Sequence, residues 1–215
     1  MTEQGTADWH AQRCGKVTAS RIKDILARTK GGGVSASREN YRAELVLERL
    51  TGVQQEGFQS AEMRWGKEKE PEAVTAYEFK RNLDTAKISF VDHPTIPMSG
   101  ASPDRLVGED GLLELKCPLP KQHLAWLLGG TVPSEYVKQM TWQMACTGRR
   151  WCDFASYHPH FPVPMQLFVV RLERDAAEIV RIESEVRGFL AEVDEQIAAI
   201  AARFPAVVPM RDAAE

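Results

Sequence analysis

Between residues 175 and 203, Ile179, Ile182, Val186, Phe189, Leu190, Val193 and Ile197 recur at three- and four-residue intervals. Such spacing stacks them on one side, so a long amphipathic helix is predicted there, ended by Pro205 and Pro209. Residues 38–50 repeat Tyr41, Leu45 and Leu50 amid charges before Gly52, and residues 21–29 bring Ile22, Ile25 and Leu26 together. Thr18 or Ser20 would cap this shorter helix. Ser60 precedes a helix over 61–79 in which Pro71 removes one intrahelical bond, so a kink near Glu70 is predicted. Two further helices, 120–128 and 134–146, are separated by Gly129, Gly130 and Pro133.

Elsewhere the apolar period shortens to that of strands. Residues 86–91, 98–101, 151–157 and 165–172 read as strands, with Pro94 and Pro97 marking the turn between the first two. Between them, Ser102-Pro103-Asp104-Arg105-Leu106-Val107 leads through Gly108-Glu109-Asp110-Gly111 into Leu112-Leu113-Glu114-Leu115-Lys116. Asp-Gly between two apolar-rich runs signals a hairpin, because glycine takes the positive φ of tight turns. The order of helices and strands fits an α/β sandwich around a mixed sheet.

Side chains alternate along a strand, so Glu114 and Lys116 project to one face while Leu113 and Leu115 project to the other. A carboxylate and an ammonium on an internal strand are costly to bury unless something neutralises and hydrogen-bonds them. A divalent metal beside a phosphate does so: hard Mg²⁺ takes oxygen ligands and keeps waters, so one Asp, one Glu and a strand carbonyl suffice. Its bound water becomes acidic enough to attack, and a neighbouring lysine stabilises the developing charge. Taken alone, the D…E-x-K pattern also fits an ordinary exposed hairpin with a surface Glu/Lys pair.

At 215 residues and 24.1 kDa, one domain over 1–215 is expected, with about 205–215 as a C-terminal tail. There is no long apolar run and no signal-peptide pattern, so no membrane association and a cytoplasmic location are expected. Cys14, Cys117, Cys146 and Cys152 lack C-x-x-C spacing, which argues against a disulfide framework or zinc cluster. Cys152 with His158 and His160 makes a poor metal set, better read as a loop after a strand. Gly31-Gly32-Gly33 is not followed by G-K-[ST], so it reads as a flexible loop rather than a phosphate loop. Net charge is −3, but residues 1–40 hold seven basic against four acidic residues and residues 173–215 five against ten. A nucleic-acid groove lined from the N-terminal region and the middle, or plain charge scatter, would both produce that asymmetry.

Trp9-His10-Ala11-Gln12-Arg13, Val17-Thr18-Ala19-Ser20, Trp65-Gly66-Lys67-Glu68-Lys69-Glu70, Ser102-Pro103-Asp104, Glu114-Leu115-Lys116-Cys117-Pro118 and Tyr136-Val137-Lys138-Gln139 occur in that order. From about Asp8 to about Leu172 the chain thereby resembles the phage lambda exonuclease family, a branch of the PD-(D/E)-x-K nucleases. The resemblance implies a restriction-endonuclease-like core, a mixed central sheet flanked by helices. It also implies a Mg²⁺-dependent exonuclease, with Mn²⁺ as a substitute ion, that digests one strand of linear duplex DNA in the 5′ to 3′ direction and leaves a 3′ overhang. Asp104, Glu114, Lys116, Glu70 and Gln139 match the family's catalytic residues, with Asp104, Glu114, the Leu115 carbonyl and Glu70 at the metal. Arg13, Thr18, Ser20 and Ser102 match positions around a terminal 5′-phosphate, and Met63 a position near the strand-separating wedge. A homotrimeric ring and a single-strand annealing protein are the implied partners. The family often has a second glutamine two residues after the first; here that position is Thr141, which leaves Gln143 unassigned. Another PD-(D/E)-x-K endonuclease or repair nuclease is the rival reading. A DNA-binding module with a decayed nuclease site is a further one, although Asp104, Glu114 and Lys116 are all present.

Overall fold

The computed structural model describes residues 4–55 and 60–204, so the expected tail and the helix-ending Pro205 and Pro209 lie outside the described residues. The chain begins with α1 (Ala7–Arg13), β1 (Val17–Thr18), a 3-10 turn over Ala19–Arg21, α2 (Ile22–Leu26), α3 (Ala36–Thr51) and α4 (Ala61–Arg81). Then come β2 (Thr85–Ala86), β3 (Val91–Asp92), β4 (Ser99–Ala101), β5 (Arg105–Val107) and β6 (Gly111–Lys116). The rest is α5 (Pro120–Gly129), α6 (Ser134–Thr147), β7 (Trp151–Tyr157), β8 (Leu167–Glu173) and α7 (Ala176–Arg203). The main sheet has the order β2-β5-β6-β7-β8 and is mixed: β6 pairs with β7 in parallel and every other pair is antiparallel. A small second sheet has the order β1-β4-β3.

Strand β6 is hydrogen-bonded on both sides and covered on both faces. Leu113 and Leu115 pack with Ala73 and Tyr77 of α4, while Leu112 packs with Trp126 of α5 and Met140 and Met144 of α6. The alternation expected for Leu113, Glu114, Leu115 and Lys116 is therefore what decides which helix layer each residue meets. A third cluster joins the α7 stripe to Tyr41 and Leu45 of α3 and to Ile22 and Ile25 of α2. Every residue of that stripe, from Ile179 to Ile197, is buried.

Several local expectations change. Neither Thr18 nor Ser20 caps α2: Thr18 is buried in β1 with its N–H donating to Tyr41 Oη, Ser20 is exposed in the 3-10 turn, and Arg21 occupies the N-cap without a side-chain bond. Residues 86–91 form no single strand. Ala86 pairs with Leu106 in the main sheet while Val91 pairs with Ala101 in the small one, so this stretch crosses between sheets. Helix α4 continues as one element across Pro71 rather than being interrupted. The ladder of β8 starts at Leu167 rather than at 165, because a 3-10 turn over Val163–Met165 takes the Met165 and Gln166 N–H groups to the Pro162 and Val163 carbonyls. Helix α1, absent from the sequence expectation, is capped by Thr6 Oγ1 accepting the Trp9 N–H.

The charge asymmetry also finds its place. Arg28 and Arg38, two of the seven basic residues in 1–40, pair with Glu185 and Glu192 of α7, and just beyond that window Arg42 pairs with Glu192 and Arg49 with Asp194. Among the described residues no helix is long and apolar enough to cross a membrane.

Helix α4 is tied to the sheet by a buried carboxylate. Asp153 of β7, wholly inaccessible, accepts from Tyr77 Oη at 2.9 Å, from Arg81 at 3.1 Å and from Arg171 Nε at 2.8 Å. Hydrogen bonds to charged groups contribute about 1.5–3 kcal/mol. Tyr77→Phe is expected to lose an amount in that range, seen as a lower midpoint in urea unfolding with an unchanged slope.

Candidate active site

The site is built where β5 begins and β6 runs on past it, still paired with β7. Arg105 pairs with Leu113 at the end of the β5–β6 ladder, and Asp104, one residue before it, lies in a bend where its carboxyl feels the Glu114 charge. Asp104 Oδ2 accepts the Leu115 N–H at 2.7 Å. In an extended strand the N–H and C=O of one residue point to the same side, so the Leu115 carbonyl also lies on the Asp104 side, past the end of the β5 ladder.

Glu114 is only 1 % exposed. Its Oε1 accepts from Gln139 Nε2 at 2.6 Å and is paired with Lys116 Nζ, while its Oε2 accepts from Gln143 Nε2 at 2.6 Å. Gln139 and Gln143 stand one turn apart on α6 and so share a face. Tyr136, three residues before Gln139, belongs to the same face and puts its ring 5.2 Å from Lys116 Nζ. Sequence reasoning left Gln143 and Tyr136 out. The signal that finds them is the helical period counted from Gln139, not the two-residue spacing of the family pattern.

Glu70 reaches the site from the opposite layer. It sits on α4 with Arg105 Nη1 3.2 Å from its Oε1, and its charge is felt by Asp104. Arg13 lies with its guanidinium 3.9 Å over the Trp9 ring and Nη1 3.5 Å from Ser102 Oγ, which also accepts Trp9 Nε1 at 3.0 Å. The Arg13 Nε is buried and has no hydrogen-bond partner among the described residues. The structure thus joins Arg13, Trp9 and Ser102, whereas the hydrogen bond of buried Thr18 runs to Tyr41 and Ser20 stands exposed. Met63, exposed, lines a cleft of about 810 Å³ together with Trp9, Glu70 and four basic residues, Arg64, Lys67, Lys87 and Arg105. Among the described residues, Glu70 is the one carboxylate in that lining.

Burial, then the facing Glu114 charge, and more weakly Glu70, push the Asp104 carboxyl up to about 7, against the pull of Lys116 and the Leu115 N–H. Burial lowers the Lys116 ammonium, but Glu114 and Asp104 outweigh it and raise the group above its ordinary value, so it is charged at neutral pH. Burial pushes the adjacent Cys117 thiol up to about 12, which removes it as a nucleophile. Among the described residues no three His, Cys, Asp or Glu side chains are gathered to hold a metal ion, and His123 is already engaged by Ser156 Oγ and the Met165 carbonyl. The chain therefore offers two carboxylates, Asp104 and Glu114, and a strand carbonyl. Two acids facing each other with one ammonium between them fit a hard divalent ion that keeps most of its waters.

The YqaJ-like viral recombinase domain family matches residues 8–150. No curated protein matches the chain. Among solved structures, the alkaline exonuclease LHK-Exo from Laribacter hongkongensis is 47 % identical with a TM-score of 0.86, covering 92 % of this chain and 97 % of that one. LHK-Exo in complex with dAMP matches with the same figures. A phage related exonuclease from Haemophilus somnus 129PT, 16 % identical over 86 % of this chain and 96 % of its own, has a TM-score of 0.65 and shares the fold. The mixed sheet flanked by helices is restriction-endonuclease-like.

The raised Asp104 carboxyl has a thermodynamic consequence. A folded-state value above the unfolded one makes the ionised group destabilising, with no penalty below about 4 and the full penalty above about 7. Asp104→Asn keeps an acceptor for the Leu115 N–H and removes the charge. In buffer containing a chelator, its melting temperature is expected to exceed that of the wild type by a few degrees at pH 8, with the gain gone by pH 4. Equal melting curves at pH 8 would show that the two carboxylates do not oppose each other.

Proposed function

The chain belongs to the YqaJ-like viral recombinase domain family, and we propose from that premise that it is an exonuclease that removes nucleotides 5′ to 3′ from one strand of linear double-stranded DNA, using Mg²⁺ or, as a substitute, Mn²⁺. The observation that carries this reading is the facing pair Asp104 and Glu114 with Lys116 between helix layers, close to a cleft lined by four basic residues and one acidic. An exonuclease role is also what the 47 % identical Laribacter enzyme supports, and its complex with dAMP accords with a deoxynucleotide product.

Asp104, Glu114 and the Leu115 carbonyl would hold the ion, with Glu70 alongside. The bound ion would supply a water acidic enough to attack a phosphodiester at neutral pH. Lys116, held charged by Glu114 and Asp104, donates to the phosphate oxygens and stabilises the negative charge gathering on phosphorus. The Gln139 amide, half-buried at the edge of the site, orients water or phosphate beside it. Arg64, Lys67, Lys87 and Arg105 neutralise backbone phosphates of the duplex in the cleft. At one end of that cleft the Arg13 guanidinium and Ser102 hydroxyl receive the terminal 5′-phosphate, a dianion that suits a buried cation with an unpartnered N–H. Met63 stands where the two strands part. The motif resemblance further supports a homotrimeric ring around the DNA, a 3′ overhang as product, and a single-strand annealing protein that takes it up in recombination.

Lys116→Ala is expected to lower turnover by about 10²–10³-fold, the usual yield of one well-placed group in the transition state, while Mn²⁺ affinity measured without DNA changes little. Turnover within a few-fold of wild type would remove Lys116 from the chemistry.

Polarity is tested with linear duplexes labelled separately at each terminus and carrying either a 5′-phosphate or a 5′-hydroxyl. The phosphorylated end is expected to be degraded roughly tenfold faster or more, as a charge-assisted contact of about 1.5–3 kcal/mol implies, and Arg13→Ala should abolish most of that difference. Loss of the 3′ label first, or cleavage of a closed circle, would return the chain to the rival endonuclease or repair reading.

A further inference from the structure

The two oxygens of Glu114 are held unequally. Oε1 is shared by Lys116 Nζ and the Gln139 amide, both on half-buried side chains at the edge of the site. Oε2 is held from inside by Gln143 Nε2 at 2.6 Å, on a residue with no accessible surface at all. The other end of the Gln143 amide, Oε1, lies 3.9 Å from Cys152 Sγ on β7, a weak donor that stands equally close to the Asp153 carbonyl. Turning the amide over would set a carbonyl against a carboxylate.

A wholly buried glutamine is a costly way to fill a core. Met140 and Met144 stand on either side of Gln143 on the same helix and fill the neighbouring volume with no polar group to satisfy. A carboxamide at this position has to be compensated by its bonds, and the strongest of them goes to Glu114. We propose that Gln143 is the positioning residue of Glu114: it clamps Oε2 from the protein interior, keeps Oε1 turned toward Lys116 and Asp104, and so sets the affinity of the site for a divalent cation. This assignment rests on the nuclease reading above. Gln143 lies behind the carboxylate with no accessible surface, so its effect passes through Glu114 and not through contact with DNA.

The test is Gln143→Met, which preserves length and volume and deletes the donor. Partners behind a metal ligand are worth about 10–100-fold in metal affinity or activity. Mn²⁺ binding, followed by electron paramagnetic resonance without DNA, is expected to weaken by that factor. In steady-state digestion at fixed Mg²⁺, kcat should fall while KM for DNA ends stays put, and excess Mg²⁺ should restore kcat. Gln143→Asn, which withdraws the amide by one methylene, should act in the same direction and serves if the methionine variant does not fold. A variant that melts lower yet binds Mn²⁺ like the wild type would overturn the assignment and leave Gln143 a core residue. Wild-type protein that neither binds Mn²⁺ nor digests linear duplex would instead overturn the nuclease reading itself, and this assignment with it.

Discussion

Glu114 lies on a strand that is hydrogen-bonded on both sides and packed on both faces, so no water screens its charge. An unpaired carboxylate in such a place is prohibitive, and the local structure is arranged around meeting that demand. Lys116 comes from the same strand two residues on, and Gln139 and Gln143 come from one face of α6. Three donors around one carboxylate satisfy it, but only one of them is charged. The remaining imbalance appears at Asp104, whose carboxyl is pushed toward neutrality first by its own burial and then by the Glu114 charge.

Two helix layers keep that arrangement in register. Helix α6 supplies the amides and is fixed by its own apolar residues and by Trp142, whose indole N–H donates to the Gly100 carbonyl in the small sheet. Helix α4 is pinned through Tyr77 and Arg81 to Asp153 and brings Glu70 and the basic residues Arg64 and Lys67 to the cleft. Arg105 reaches Glu70 of α4 while the neighbouring Asp104 accepts the Leu115 N–H and feels the Glu114 charge, so a single peptide link couples the two layers.

Much of this was legible in the chain. The hairpin was announced by Asp110-Gly111 between apolar runs, and the split between Leu113/Leu115 and Glu114/Lys116 follows from strand alternation alone. The long helix α7 was written in the spacing of its stripe. What failed did so for tertiary reasons. A two-residue strand such as β2 or β3 carries too few side chains to show a period, and residues 86–91 change sheets partway, which local pattern cannot register. The hydroxyls of Thr18 and Ser20 suggest a cap, but Thr18 is held in β1 by its pairing with β4, and α2 starts only after the 3-10 turn. Gln143 was passed over because a spacing taken from relatives was preferred to the helical period that places it beside Gln139.

The same distinction between local and global information governs charge. A net charge of −3 says little about nucleic-acid binding, and the basic N-terminal region suggests a groove for the wrong reason. Arg28, Arg38, Arg42 and Arg49 face the carboxylates of α7, and a cation already paired across a helix contact has little field left to offer a phosphate. The cations that line the cleft come from α4, from the stretch between β2 and β3, and from the start of β5, regions whose separate charge totals attract no notice. Folding therefore turns one population of cations toward α7 and another toward the cleft. A sum over sequence windows cannot separate them, because the sorting depends on which residues α7 covers. The chain can be acidic overall and still present a basic face where a phosphate backbone would meet the carboxylate pair.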